Sequence, residues 1–169
     1  LGAMYAGIPY CPVSPAYSLL SQDFAKLRHV CDLLQPGLVF VSEAVPFERA
    51  ITAVLPANVP LITVRGEMAG RSRTSFASLL AQPGGVEAEQ AFAATGPDSI
   101  AKFLFTSGST KLPKAVITTQ RMLCANQQML LQTFPVFGEE PPVLVDWLPW
   151  NHTFGGSHNV GIVLYNGGT

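Results

Sequence analysis

The sequence predicts an α/β protein built on a parallel, doubly wound sheet. Three observations support that class. Short apolar runs rich in β-branched residues recur along the chain, stretches with helical spacing separate them, and Pro or Gly closes several of the transitions. That alternation is what βαβ units require.

Residues 8–13 (Ile-Pro-Tyr-Cys-Pro-Val) read as a short extended segment. From Ser18 to Gln35, Leu20, Phe24, Leu27, Cys31 and Leu34 recur at three- and four-residue steps, which places them on one face of a predicted helix. Pro36-Gly37 ends that helix, and Leu38 to Val41 follows as a strand of the kind buried in parallel sheets. Residues 46–55 predict a second helix and Val59 to Val64 a second strand. Residues 65–97 change character: they are rich in Gly, Ser and Ala, with a weak helical pattern near 74–81, and read as surface connection. Ile100 to Phe105 is an apolar strand interrupted only by Lys102. A polar loop over 106–114 leads to Val116-Ile117. A helix from about Thr119 to Thr133 then presents Met122, Leu123, Met129 and Leu130 to a core. Val143 to Leu148 predicts a further strand, and Gly161 to Tyr165 another buried element.

Composition narrows the function. The 169 residues carry 10 Lys+Arg and 11 Asp+Glu, a formal charge of −1, with 12% charged and 48% hydrophobic. The charged share is half of the roughly 25% usual in globular domains. So few cations leave no basic footprint for nucleic acid, and so much apolar character argues against disorder. The first 22 residues are uncharged, yet Pro9, Pro12 and Pro15 defeat a membrane-spanning helix. No basic leading segment or small-residue cleavage site marks a signal peptide. The cysteines, Cys11, Cys31 and Cys124, are odd in number and far apart, and read as buried thiols of a cytoplasmic protein. The chain is expected to be an internal piece of a longer polypeptide, with 1–169 as a single partial domain.

The chemistry is concentrated in TSGSTKLPKAV, Thr106 to Val116. Hydroxyl side chains flank a glycine directly after a strand, and two lysines follow within a few positions. Phosphate oxygens need such donors together with free backbone N–H groups and a cation at fixed reach. Pro113 stiffens the path to Lys114. The Walker and Gly-x-Gly nucleotide signatures are both absent. A Ser/Lys hydrolase reading of the same loop lacks the Gly-x-Ser-x-Gly elbow and flanking oxyanion donors. Farther on, His152 sits between Trp150 and Phe154 in a nearly uncharged segment. His158 has no accompanying carboxylate or Cys, so no metal site is expected.

The loop resembles the phosphate-binding loop of the adenylate-forming enzymes, which include acyl-CoA synthetases, luciferases and peptide-synthetase adenylation domains. That family's loop reads [Tyr/Phe]-Thr-Ser-Gly-[Ser/Thr]-Thr-Gly-x-Pro-Lys-Gly. Phe105 through Thr110, Pro113 and Lys114 match it, while Lys111 and Ala115 stand where the family has glycine. Leu148 to Thr169 resembles the following block, in which a hydrophobic-Pro-x-x-His stretch enters a Gly-rich helix. The wording of both blocks, with the opening LGAMYAGIPYCPVSPAYSLLSQDFAKL, looks most like feruloyl-CoA synthetases.

The resemblance implies part of a layered αβαβα N-terminal AMP-binding domain, with the C-terminal domain absent from these residues. It implies an ATP-dependent acid–CoA ligase that works through an acyl-adenylate, with ATP, Mg²⁺ and CoA as cofactors and co-substrates. Its partners are then small molecules: an aromatic, hydroxycinnamate-like acid, ATP and CoA. Thr106, Ser107, Gly108, Ser109, Thr110 and Lys114 are implied to hold the β- and γ-phosphates. Lys114 and His152 become the expected catalytic residues, and Trp150, His152 and Phe154 the acid pocket. The family's later adenine, ribose, hinge and C-terminal lysine motifs do not occur in this sequence, so these residues alone are expected to be inactive. A non-catalytic nucleotide-binding or structural module that retains the loop is the alternative.

Overall fold

The computed structural model describes residues 1–106 and 112–169. In chain order the elements are α1 (Gly2–Tyr5), α2 (Ala16–Leu19), α3 (Ala25–Leu34), β1 (Val39–Glu43), α4 (Ala44–Val54), β2 (Leu61–Arg65) and β3 (Arg73–Ser75). There follow α5 (Phe76–Leu80), α6 (Val86–Ala93), β4 (Ile100–Phe105), β5 (Ala115–Thr119), α7 (Gln120–Thr133) and α8 (Val136–Glu139). A π-helical turn over Phe154–Asn159 runs into α9 (Val160–Tyr165). These elements fall into two compact units, one of Leu1–Val13, Gly85–Thr106 and Ala115–Thr169, the other of Ser14–Gly84 with the described part of Ser107–Lys114.

The Ser14–Gly84 unit holds a parallel sheet in the order β1-β2-β3. β1 and β2 align Val39 with Leu61 and Val41 with Thr63, and α4 makes the crossover that parallel neighbours need. Pro46 falls in the first turn of α4, where its missing N–H costs nothing. Ala44, Ala50, Ile51 and Val54 of α4 are buried, with Leu61 and Thr63 of β2. Burying a side chain such as Ile51 contributes about 1.5–3 kcal/mol.

Two expectations are corrected in this unit. The single helix over 18–35 is two: α2 stops at Leu19, and Phe24 takes a left-handed φ of 54° before α3 begins. Ser21 Oγ accepts from the Phe24 N–H and Asp23 Oδ1 from the Ala25 N–H, so short polar side chains outcompete helical continuation there. Within 65–97, Arg73–Ser75 forms a third parallel strand that its polar composition hid. Arg71 in the same stretch donates to the carbonyls of Leu55, Pro56 and Val59 and ties down the turn after α4.

In the other unit β4 and β5 pair antiparallel, from Ile100 opposite Thr119 to Phe105 opposite Ala115. α7 starts at the N-cap Thr119, whose hydroxyl accepts from the Met122 N–H. Arg121 grips both carboxylate oxygens of Asp98, at 3.0 and 3.2 Å, which fastens the start of α7 beside the start of β4. The predicted core face of α7 is wrong in part. Met122 and Met129 are exposed, Leu123 and Leu130 are half-buried, and the buried residue is Gln127. No strand forms over 143–148, where Val145 and Trp147 are almost fully exposed; the backbone bonds from Leu144 to the Thr169 carbonyl and from Thr169 to the Pro142 carbonyl do not extend into a ladder. Only Ile162 of α9 is buried. Cys11 and Cys31 are half-buried and Cys124 is exposed, so the expectation of three buried thiols fails for Cys124.

Candidate functional site

Thr106 is exposed and directly follows β4. Ser107, Gly108, Ser109, Thr110 and Lys111 lie outside the described residues. Past them, Lys114 is exposed and Pro113 is buried. The Pro113 carbonyl lies 2.9 Å from His29 Nε2. A carbonyl only accepts, so Nε2 carries the hydrogen, and this bond from α3 anchors the backbone one residue before Lys114. Nothing in the spacing of the sequence marks His29 for that task.

The second block folds into a tight turn and then the π-helix. The Asp146 carboxylate accepts from the Leu148 N–H, and the His152 N–H donates to the Pro149 carbonyl at 3.0 Å. The Gly156 N–H in turn donates to the His152 carbonyl at 2.8 Å. His152 Nδ1 accepts from the Phe154 N–H at 3.3 Å, which leaves the ring hydrogen of the neutral imidazole on Nε2. Phe154 stacks on the His158 ring, with centroids 4.6 Å apart and planes 13° from parallel. His158 Nδ1 meets Asn159 Oδ1 at 2.9 Å. The structure therefore places His152 and Phe154 together on one turn. Trp150, His152 and Phe154 are all exposed. Among the described residues no hydrogen bond ties Thr106 to that turn.

Two glycines make this geometry possible. A Cβ on Gly155 would stand 2.8 Å from the Pro149 carbonyl oxygen, and one on Gly156 would overlap the Trp150 carbonyl. Backbone thus lies directly on backbone at the start of the helix. A third glycine, Gly161, lets α7 approach α9 so closely that a Cβ there would overlap the Gln127 amide.

Beside the turn lies a group of buried polar side chains. Lys102 of β4 is 1% exposed, and its ammonium donates to the Gly156 carbonyl at 2.6 Å. Burial pushes its pKa down from the ordinary lysine value. The Tyr10 ring lies beside the ammonium, its centroid 5.9 Å away, and burial raises the Tyr10 hydroxyl pKa. Gln127, 4% exposed, directs its amide N–H₂ toward the carbonyls of Ser157 and His158, each 3.4 Å away. Its Oε1 and the Ser157 Oγ are buried without a hydrogen-bond partner. Lys102, Tyr10, Gln127, Ser157 and Gly161 line a cavity of about 240 Å³. Among the described residues no group of three His, Cys, Asp or Glu side chains gathers to hold an ion. None of their helices is long and apolar enough to cross a membrane.

The described fold is of the α/β class, with Thr106 directly after β4 and an exposed Lys114 directly before β5. Comparison with known proteins makes the class specific. A sequence profile described as AMP-binding enzyme matches residues 1–169, the whole chain. This chain belongs to the AMP-binding enzyme family. It is 30% identical over 159 residues to an olefin β-lactone synthetase of Stenotrophomonas maltophilia, covering 78% of this chain and 28% of that protein. It is 39% identical over 71 residues to a medium-chain-fatty-acid–[acyl-carrier-protein] ligase of Teredinibacter turnerae, covering 42% of this chain and 11% of the relative. The chain therefore spans little more than a quarter of these relatives at most.

Solved structures agree on the fold. The luciferase-like enzyme of the mealworm Zophobas morio superposes with a TM-score of 0.68 at 22% identity, over 98% of this chain and 36% of that one. A malonyl-CoA ligase with methylmalonyl-CoA and AMP bound gives 0.67 at 23% identity, over 98% and 30%. The mixed α/β architecture with a parallel sheet is that of the N-terminal domains of adenylate-forming enzymes.

Proposed function

We propose that this chain is part of an ATP-dependent acid–CoA ligase that activates an aromatic, hydroxycinnamate-like acid through an acyl-adenylate. The observation that carries the reading is the segment Thr106–Lys114, set between β4 and β5 in a chain that the AMP-binding profile matches from end to end. In the first half-reaction an oxygen of the acid carboxylate attacks the α-phosphorus of ATP. The new bond is acyl O–P, and the bond broken releases pyrophosphate. In the second, a CoA thiol attacks the acyl carbon, its proton is lost, and AMP leaves.

The first step brings like charges together, so the protein's task is to position them and to offset charge with donors. Thr106, Ser107, Gly108, Ser109 and Thr110 supply hydroxyls and backbone N–H groups to the β- and γ-phosphates, and Lys114 a cation to the departing pyrophosphate. His152, with its hydrogen on Nε2, offers a donor at the acid carboxylate, and Trp150 and Phe154 form aromatic walls. Mg²⁺ would enter with ATP and offset part of the triphosphate charge. The alternative of a non-catalytic module is not favoured by relatives that are themselves ligases or synthetases.

The test uses the complete enzyme and follows acid-dependent pyrophosphate release across ferulate, benzoate and a long-chain fatty acid. Ferulate is expected to be preferred; preference for the fatty acid overturns the aromatic assignment. Supplying free CoA or a carrier-protein thiol then identifies the acceptor. Lys114→Ala is expected to raise the KM for ATP about tenfold or more while the KM for the acid changes little.

A further inference from the structure

We propose that Lys102 is a positioning residue for the acid half of the site, acting through the Gly156 carbonyl on the turn that carries His152 and Phe154. The inference rests on the ligase reading above. It begins with a break in strand alternation. Neighbouring strand residues face opposite sides, yet Ala101 and Lys102 are both buried, at 1% each. The ladder explains how. Ile100 pairs with Thr119 and Lys102 with Thr118, so one extra residue is inserted in β4. Such a bulge re-aims the side chains that follow it. On its other side β4 is held by Tyr10, whose N–H donates to the Ala101 carbonyl and whose carbonyl accepts from the Phe103 N–H.

The re-aimed ammonium meets the start of the π-helical turn. With glycines at 155 and 156 the turn has no side chains there to wedge it. Its carbonyls fall in π-helical register, a geometry that occurs mostly as short local bulges at functional sites. Lys102 supplies the missing anchor with one short charge-assisted bond, and the Gly156 N–H closes back on the His152 carbonyl. A chain of two hydrogen bonds thus runs from the Lys102 ammonium through the Gly156 peptide to His152. From the other side the Gln127 amide faces the next two carbonyls, Ser157 and His158. Among the described residues no carboxylate pairs with Lys102. A buried cation is costly to keep, and a purely structural role would be filled at lower cost by an apolar side chain.

The experiment compares the intact wild-type enzyme, Lys102→Met and, as a stability control in the other unit, Ile51→Ala. Acid-dependent pyrophosphate release is measured with acid and ATP varied separately. Lys102→Met keeps the length of the chain and removes the donors. Its KM for the acid is expected to rise about tenfold while its KM for ATP stays within about threefold. Ile51→Ala, which loses stability without touching the turn, is expected to leave both KM values near wild type. An acid KM within about twofold of wild type in Lys102→Met overturns the proposal, as does an equal rise in both KM values. If Lys102→Met does not fold, Lys102→Gln, one atom too short for the same bond, is read by the same criteria. A wild-type enzyme that adenylates no acid overturns the ligase reading and this inference together. An active enzyme indifferent to Lys102 overturns this inference alone.

Discussion

At the residue scale, the exposed ion pairs and the buried polar groups do different work. The Arg121 guanidinium, by hydrogen bonding and then by charge, holds the Asp98 carboxyl below its ordinary value of 3.8. A carboxyl depressed in the folded state contributes stability that is fully present above the unfolded value. That contribution is lost as the pH falls through the folded one. Asp98→Asn is therefore expected to flatten part of the acid limb of a urea-midpoint-against-pH profile below about pH 4, and to lower the midpoint at neutral pH. The pair is exposed, so added salt shrinks the difference. Asp23, lowered mainly by the Ala25 N–H and the Ser21 hydroxyl, keeps the remainder of that limb. Lys102 lies at the other extreme. Its position was plain in the sequence as the single cation in an apolar strand, but the bulge that turns it inward is a property of pairing and left no mark in spacing.

At the element scale, legibility follows the physics of each element. β1, α4, β2 and α7 were predicted to within a few residues, although the apolar face expected of α7 is in part exposed. The helix over 18–35 was misread because Leu20 and Phe24 continue the apolar spacing across a segment where Ser21 and Asp23 capture the backbone. β3 was missed because three polar residues became a strand only by lying beside β2. The π-helical turn belongs here too, since it depends on bare glycine. Gly156→Ala forces a methyl into the Trp150 carbonyl, and overpacking against backbone costs about 1–3 kcal/mol. The expected result is a lower thermal midpoint for the unit and a loss of acid-dependent turnover larger than that for Gly37→Ala. Gly37 meets nothing within 4 Å.

At the scale of the whole molecule, the low charge of the chain fits a sequence that covers only part of the length of its relatives. Leu144 is anchored by the Thr169 carbonyl, yet Val143, Val145 and Trp147 nearby remain open to solvent. The 169 residues include the proposed phosphate loop and the His152 turn, and they cover 11% and 28% of two relatives that are ligases or synthetases. On their own they are expected to give no acid-dependent exchange of pyrophosphate into ATP. Exchange by the isolated 169 residues with ferulate would show that the later motifs are dispensable for the first half-reaction.

The sequence by itself determined the α/β class and the run of β1, α4 and β2 in the parallel unit, and it supplied the expectation of a phosphate loop over Thr106–Lys114. Those features are local: periodicity, caps and a run of hydroxyls followed by Pro-Lys are all written in neighbouring residues. Only the tertiary structure decided that His29 anchors Pro113, that Arg71 ties down the turn after α4, and that Lys102 reaches Gly156. Each joins residues from 12 to 84 positions apart. Contacts of that kind arise when strands choose their register and helices close on glycine, and no local pattern encodes the distance between them.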